Sequence, residues 1–222
     1  MEQAYFITGT DTNIGKTWTG VALMHYFQGL GKSVIGLKPV ASGCSVKDGM
    51  LVNADALLLQ EHATIRLDYH SINPYAYDLP VSPHIAGKDN PAKLEVIVDS
   101  FNAIKDQAQI ILVEGAGGWY SPLNENQDNS DLAAALQLPV ILVVGIRLGC
   151  LNHAKLTYQA IISSGIDCAG WIATCINPDE LFIEDNIATL KKALASPLLG
   201  VLPYLDSPDF DRLSKQLSIS GC

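Results

Sequence analysis

The chain holds 222 residues, 48% hydrophobic and only 17% charged, which supports a sizeable core and excludes a disordered chain. The formal net charge is -9 and no Lys/Arg-rich run occurs, so neither nucleic acid nor an anionic membrane is expected as a partner. Apolar runs are of strand length, far below the roughly 18 residues of a membrane span. Five cysteines, at 44, 150, 168, 175 and 222, form no C-x-x-C pair and are odd in number. Reduced thiols in a cytoplasmic protein are therefore expected rather than a disulfide framework. The N-terminus lacks a basic segment followed by an apolar stretch, so no signal peptide is expected.

Residues 3–9 read as a strand of β-formers, and 15–30 as a helix ended by Gly29 and Gly31. A short strand over 33–37 closes at Lys38-Pro39, which puts Lys38 at its C-terminal tip, because proline cannot continue a central ladder. Residues 41–52 read as a loop, 53–61 as a helix, and 70–90, with three prolines, as an irregular crossover. A helix over 91–107 precedes the strand 109–113, whose unbroken apolar run marks burial on both faces. Next come a helix over 130–137, a strand over 139–145, a helix over 152–164 and a strand over 168–176. A helix over 179–194, a strand over 198–202 and a helix over 210–217 complete the chain. Strand and helix alternate throughout, which predicts one α/β domain over 1–222, a mostly parallel sheet with helices on both faces.

The stretch from Gly9 to Thr17, Gly-Thr-Asp-Thr-Asn-Ile-Gly-Lys-Thr, lies between the first strand and first helix. That context makes it a phosphate-binding loop, although five residues rather than four separate Gly9 from Gly15. Backbone N–H groups and the helix N-terminus bind polyphosphate, Lys16 reaches the outer phosphates, and the Thr17 hydroxyl suits Mg²⁺. Ligands of open parallel sheets bind beyond the C-terminal strand ends. This rule gathers Lys38, Glu114 to Gly118, the 145–153 turn and Pro203-Tyr204-Leu205 beside the loop. Lys38 reads either as a solvated strand-end charge or as a second cation on a transferred phosphoryl group. Asp55 reads as a carboxylate favoured by a helix start. Glu114, at the tip of a buried strand, needs a partner, and Mg²⁺ shared with Thr17 is the natural one. Cys150, Leu151 and Asn152 open a helix whose N–H groups suit a carboxylate, or which Asn152 simply caps. Cys150 has no Cys–His–acid partners, and His84 and His153 read as structural.

Together, Tyr5 to Thr12 with Gly15-Lys16-Thr17, Lys38-Pro39-Val40-Ala41-Ser42-Gly43, Ser82-Pro83-His84, Val113 to Trp119 and Leu148 to Ala154 resemble the dethiobiotin synthetases, enzymes of the P-loop NTPase type. The match runs in order from residue 4 to about 205, and the longer loop spacing is that family's own form. The resemblance implies a homodimer that uses ATP and Mg²⁺ to close the ureido ring of dethiobiotin from 7,8-diaminononanoate and CO₂ or bicarbonate. By the same resemblance Lys16, Lys38 and Thr12 are catalytic, and Thr17, Asp55 and Glu114 hold Mg²⁺. Nucleotide is assigned to Asn13, Ile14, Gly15, Lys16, Thr17, Trp18, Asp55, Glu114, Gly115, Ala116, Gly117, Thr174, Cys175, Pro203, Tyr204 and Leu205. The diamine is assigned to Ser42, Gly117 and Gly118, and its carboxylate to Cys150, Leu151 and Asn152 across the dimer interface.

Thr174-Cys175 stands where the family often has Asn-Asp, which leaves a hydroxyl to meet the base and implies looser base selectivity. Asn13 stands where a Glu is frequent, and 206–222 has no clear counterpart. The rival class is a partner-switching ATPase of the chromosome-partition type, which carries a lysine where this chain has Asp11. A small GTPase would need an Asn-Lys-x-Asp signature that is absent. The sequence further predicts that Lys38→Ala removes turnover and spares the fold.

Overall fold

Six strands pair in one parallel sheet in the order β10-β9-β8-β1-β7-β2. In chain order these are β1 (Gln3–Gly9), β2 (Val34–Leu37), β7 (Ile110–Glu114), β8 (Val140–Ile146), β9 (Cys168–Cys175) and β10 (Leu198–Leu202). The computed structural model describes residues 3–219, and Cys222, expected as a reduced thiol, lies outside them. The other four cysteines are free.

The central strands carry no polar alternation because both faces are covered. Every residue of β7 and β8 is buried. Neighbouring residues of a strand serve opposite faces. Ile7, Leu112, Ile141 and Ile172 pack with α1 (Lys16–Gly29), with Leu59 of α2 (Ala54–Glu61) and with Phe210 of α9 (Phe210–Ser214). Phe6, Val113, Leu142 and Trp171 face α5 (Leu94–Ile104), α6 (Asn129–Leu136), α7 (Cys150–Ser163) and α8 (Ile183–Ala193). This is the α/β architecture expected of the alternating pattern. Among the described residues no helix is long and apolar enough to cross a membrane.

The segments read as loops contain more structure. Between 41 and 52, where a loop is expected, β4 (Ser45–Lys47) and β5 (Met50–Val52) form an antiparallel hairpin. Asp48 and Gly49 turn it with φ of 50° and 79°, the positive pair that such tight turns require. The 70–90 crossover holds α3 (Tyr69–Ile72), β6 (Tyr75–Ala76) and α4 (Pro83–Ala86), and β6 pairs with β3 (Val40–Ala41). Helix ends shift for local reasons. Gly149, at φ 93°, caps α7 and lets it start at Cys150 rather than 152. Asn177 accepts the N–H of Asp179 and Glu180 in a turn, which delays α8 to Ile183.

Helix α2 matters most for the site, since it carries Asp55. Its start is set by Asn53, whose Oδ1 accepts the N–H of Asp55 at 3.0 Å and of Ala56 at 3.2 Å. Asn53→Ala removes this cap, and such losses cost about 1 kcal/mol. The expected result is a lower thermal midpoint by roughly 2–4 °C, measured by calorimetry. An unchanged midpoint would show that the cap does not hold α2.

Candidate active site

The loop between β1 and α1 is held by two left-handed residues. Asn13 has φ 58° and Gly15 has φ 86°. Asn tolerates that region better than most residues that carry a side chain. The Lys16 ammonium folds back to donate to the Asp11 carbonyl at 2.7 Å. Burial pushes its pKa down to about 8, against the pull of nearby Glu114. The Asp11 carboxylate pairs with the Arg147 guanidinium and accepts the Thr12 N–H at 2.8 Å. Its negative charge is thus answered beside a loop built for phosphate.

Lys38 follows β2 and Glu114 ends β7, and the register Leu37↔Val113 brings the two side by side. Lys38 is 5% exposed and Glu114 1%. The Lys38 ammonium donates to Glu114 Oε1 and, at 3.2 Å, to Asp55 Oδ2. Burial acts to lower the Lys38 pKa, but the two carboxylates outweigh it and hold it above the ordinary value. Lys38 is therefore a buried, charged group rather than a solvated strand end. Thr17 Oγ1 donates to the same Glu114 Oε1 at 3.0 Å.

Glu114 Oε2 is buried with no hydrogen-bond partner among the described residues. An orphaned carboxylate oxygen beside a hydroxyl and a second carboxylate is an all-oxygen donor set. Among the described residues no three His, Cys, Asp or Glu side chains form a metal cage. Sparse oxygen ligation of this kind fits Mg²⁺, which keeps waters and takes phosphate oxygens to complete its shell.

Three cavities adjoin here. The first, about 240 Å³, is lined by Thr12, Asn13, Gly15, Lys16, Thr17, Trp18, Lys38, Asp55, Glu114 and Gly117. The two lysines thus share one space. A second, about 210 Å³, shares Asn13, Gly15 and Trp18 with it and continues to Thr174, Cys175, Pro203, Tyr204 and Leu205. The third, about 510 Å³, shares Thr12, Lys38, Asp55 and Gly117 and adds Ser42, Asn53, Ser82, Ala116 and Ser121.

Several residues assigned from the sequence do other work. The Thr174 hydroxyl hydrogen is not left for a base, because it donates to the Ile14 carbonyl at 2.7 Å, and only the oxygen's acceptor capacity remains. Ile14 itself is buried against Gly9 and Gly145. The Gly115 N–H donates to the Ile7 carbonyl at 3.0 Å. The Gly118 N–H donates to Ser121 Oγ at 2.7 Å. Gly117, at φ 72°, has no room for a Cβ, which would meet Ser121 Oγ at 2.4 Å. Cys150, Leu151 and Asn152 line none of the three cavities. The Cys150 N–H already donates to the Arg147 carbonyl at 2.9 Å, so any further anion contact falls to the rest of the turn.

Sequence reading misses five positions. Arg147 stands in a turn with no motif to flag it. Asn129 looks like part of a cap, yet its Nδ2 donates to the carbonyls of Ala116 and Gly118, both at 2.7 Å, and holds the glycine-rich turn. Ser121 anchors the same turn. Leu213 of α9 lines the second cavity, and Phe210 packs edge-on against Trp18 with centroids 6.1 Å apart. The C-terminal segment thus walls the space beside the loop.

A family model described as an AAA domain matches residues 3–211. The chain is 45% identical to the ATP-dependent dethiobiotin synthetase BioD of Xanthomonas axonopodis pv. citri, over 93% of each chain. It is 46% identical to the enzyme of the same name from Xanthomonas euvesicatoria pv. vesicatoria, again over 93% of each. Among solved structures it resembles the septum site-determining protein MinD of Pyrococcus horikoshii, with TM-score 0.55, 16% identity, and coverage of 91% of this chain and 82% of that one. It also resembles the signal recognition particle receptor FtsY of Elizabethkingia anophelis, with TM-score 0.59, 11% identity, and coverage of 99% and 60%. At these identities the two structures share the fold alone.

Two outcomes follow from the geometry. Lys38→Ala strands Glu114 without its partner, and breaking such a buried pair costs about 3–5 kcal/mol. Turnover and the urea midpoint are both expected to fall. Adding Glu114→Gln restores most of the midpoint and none of the turnover; equal midpoints for the single and double variants would disprove the buried pairing. Because Thr174 spends its hydroxyl on the backbone, ATP and CTP should show similar kcat/KM, and a strong preference for ATP in a coupled phosphate assay would locate a base reader elsewhere.

Proposed function

The chain belongs to the dethiobiotin synthetase family, ATP-dependent ligases of biotin biosynthesis, and on that premise we propose that it closes the ureido ring of dethiobiotin from 7,8-diaminononanoate, CO₂ (or bicarbonate) and ATP. The observation that carries this reading is the shared cavity. Lys16 and Lys38 face one space that opens on one side toward Pro203 to Leu205 and on the other into the larger cavity at Ser42. A triphosphate and a diamine thus meet between two cations.

One amine of the substrate adds to CO₂ and becomes a carbamate. A carbamate oxygen takes the γ-phosphoryl of ATP, giving a carbamic–phosphoric anhydride and ADP. The second amine attacks the carbamoyl carbon, the C–O bond to phosphate breaks, and the five-membered urea forms. The substrate supplies both nucleophiles, so the protein needs none of its own. Its task is to position the groups and answer charge. Lys38, held charged by Glu114 and Asp55, faces the carbamate and the moving phosphoryl group. Lys16 releases the Asp11 carbonyl to reach phosphate oxygens. Thr12 and Ser42 bind the diamine end. Thr17, Asp55 and Glu114 would hold Mg²⁺, which supplies charge neutralisation between phosphate oxygens.

The α7 turn at 150–152 lies outside the cavity of its own protomer, which supports a homodimer in which it receives the nonanoate carboxylate of the neighbouring site. Leu148, 95% exposed next to that turn, suits such a contact.

The competing reading is a partner-switching ATPase on the same fold. Its second lysine would stand at position 11, where Asp11 pairs with Arg147. One assay separates the two. With ATP, Mg²⁺ and bicarbonate, phosphate release should require the diamine and yield dethiobiotin by mass spectrometry. Hydrolysis that ignores the diamine and rises with an added protein partner would support the rival.

A further inference from the structure

Ser82-Pro83-His84 has no role so far. Ser82 stands at the N-cap of α4, with Pro83 in the first helical position. A serine there ordinarily turns its hydroxyl onto a backbone N–H of the first turn. Here no side-chain cap forms. The N–H groups of Ile85 and Ala86 reach the Ser82 carbonyl instead, at 2.9 and 3.1 Å. The hydroxyl sits 2.9 Å from His84 Nδ1. Ser82 lines the 510 Å³ cavity assigned to the diamine, while His84 lines a separate cavity of about 520 Å³. The pair spans from one to the other.

A diamine brings N–H groups that need acceptors. In its cavity Lys38 can only donate, Asp55 Oδ2 already accepts from Lys38, and Ser121 already accepts the Gly118 N–H. Ser42 Oγ is buried there without a partner among the described residues. Two vicinal amines carry several N–H groups between them, so a hydroxyl on the same cavity adds an acceptor to those of Thr12 and Ser42. Resting on the diamine reading above, we propose that Ser82 accepts an N–H of the substrate amine, and that His84 is the positioning residue that turns the hydroxyl hydrogen away from it.

The reasoning is one of hydrogen-bond polarity. An unprotonated Nδ1 accepts the Ser82 O–H, which leaves the oxygen lone pairs for an N–H donor. A protonated Nδ1 donates to Ser82 instead, and the hydroxyl hydrogen then competes with the amine. The charged groups around the ring's cavity are Lys88, Lys93, Glu95 and Glu125, two of each sign. Across the diamine cavity stand Lys38 and Asp55.

The test measures KM and kcat for the diamine in wild type, Ser82→Ala, His84→Ala and His84→Asn, with ATP binding by calorimetry to confirm that each variant is folded. A hydrogen bond to an amine or ammonium group is lost in Ser82→Ala, so KM rises roughly tenfold and exceeds any fall in kcat. His84→Ala behaves alike. His84→Asn, whose amide oxygen accepts the same hydrogen, restores KM. Wild-type KM for Ser82→Ala and His84→Ala, or a His84→Asn variant no better than His84→Ala, overturns the inference. Failure of wild type to release phosphate with the diamine overturns the substrate reading beneath it.

Discussion

A lysine and a glutamate, both out of water, sit side by side at the tips of two neighbouring strands. Lys38 and Glu114 are placed there by backbone register, one residue beyond the pair Leu37↔Val113. Burying two charges is expensive, and such a pair is a poor source of stability by itself. It is tolerated because the charges satisfy each other and because further groups converge on them. Thr17 of α1 and Asp55 of α2 join the same network. The phosphate loop, the capped helix α2 and two strand tips are thereby tied to one point. Remove that point and the three elements have no common reference.

Around it the backbone is shaped by contacts that leave no chemical signature of their own. Asn129 and Ser121 hold the turn after β7. Arg147 crosses from the end of β8 to the loop after β1, and so links the phosphate loop to the α7 turn. Phe210 and Leu213 bring the C-terminal segment over α1. These residues carry no reaction. They place backbone atoms and limit where a ligand can lie, which is how positioning contributes to a reaction.

The fold alone does not separate this protein from its structural neighbours. MinD and FtsY share the architecture at 16% and 11% identity. The site of this chain is particular: Asp11 pairs with Arg147 in the phosphate loop, a second lysine is buried at 38, and a large cavity lies beside the phosphate space. Function lives in those side chains rather than in the sheet.

The phosphate loop, the parallel sheet and the edge on which ligands gather were legible in the sequence because they rest on local chemistry. A glycine loop between a strand and a helix, an apolar strand without alternation and a proline after a strand each act over a few residues. Lys16, Thr17, Lys38 and Glu114 stood out as candidates for the same reason, whereas Asp55 read from its own surroundings as a helix-start carboxylate and became a candidate only through likeness to known enzymes. The 45–52 hairpin was within reach too, since Asp48-Gly49 is a turn signal, but its strands are too short to announce themselves. What only the tertiary structure decided is where each hydrogen bond goes. Thr174 donates to Ile14, 160 residues away. Arg147 pairs with Asp11, 136 residues away. A hydroxyl or guanidinium has many acceptors within reach in principle, and nothing in its own sequence neighbourhood chooses among them. The choice falls to whichever partner the packed sheet and helices bring within about 3 Å.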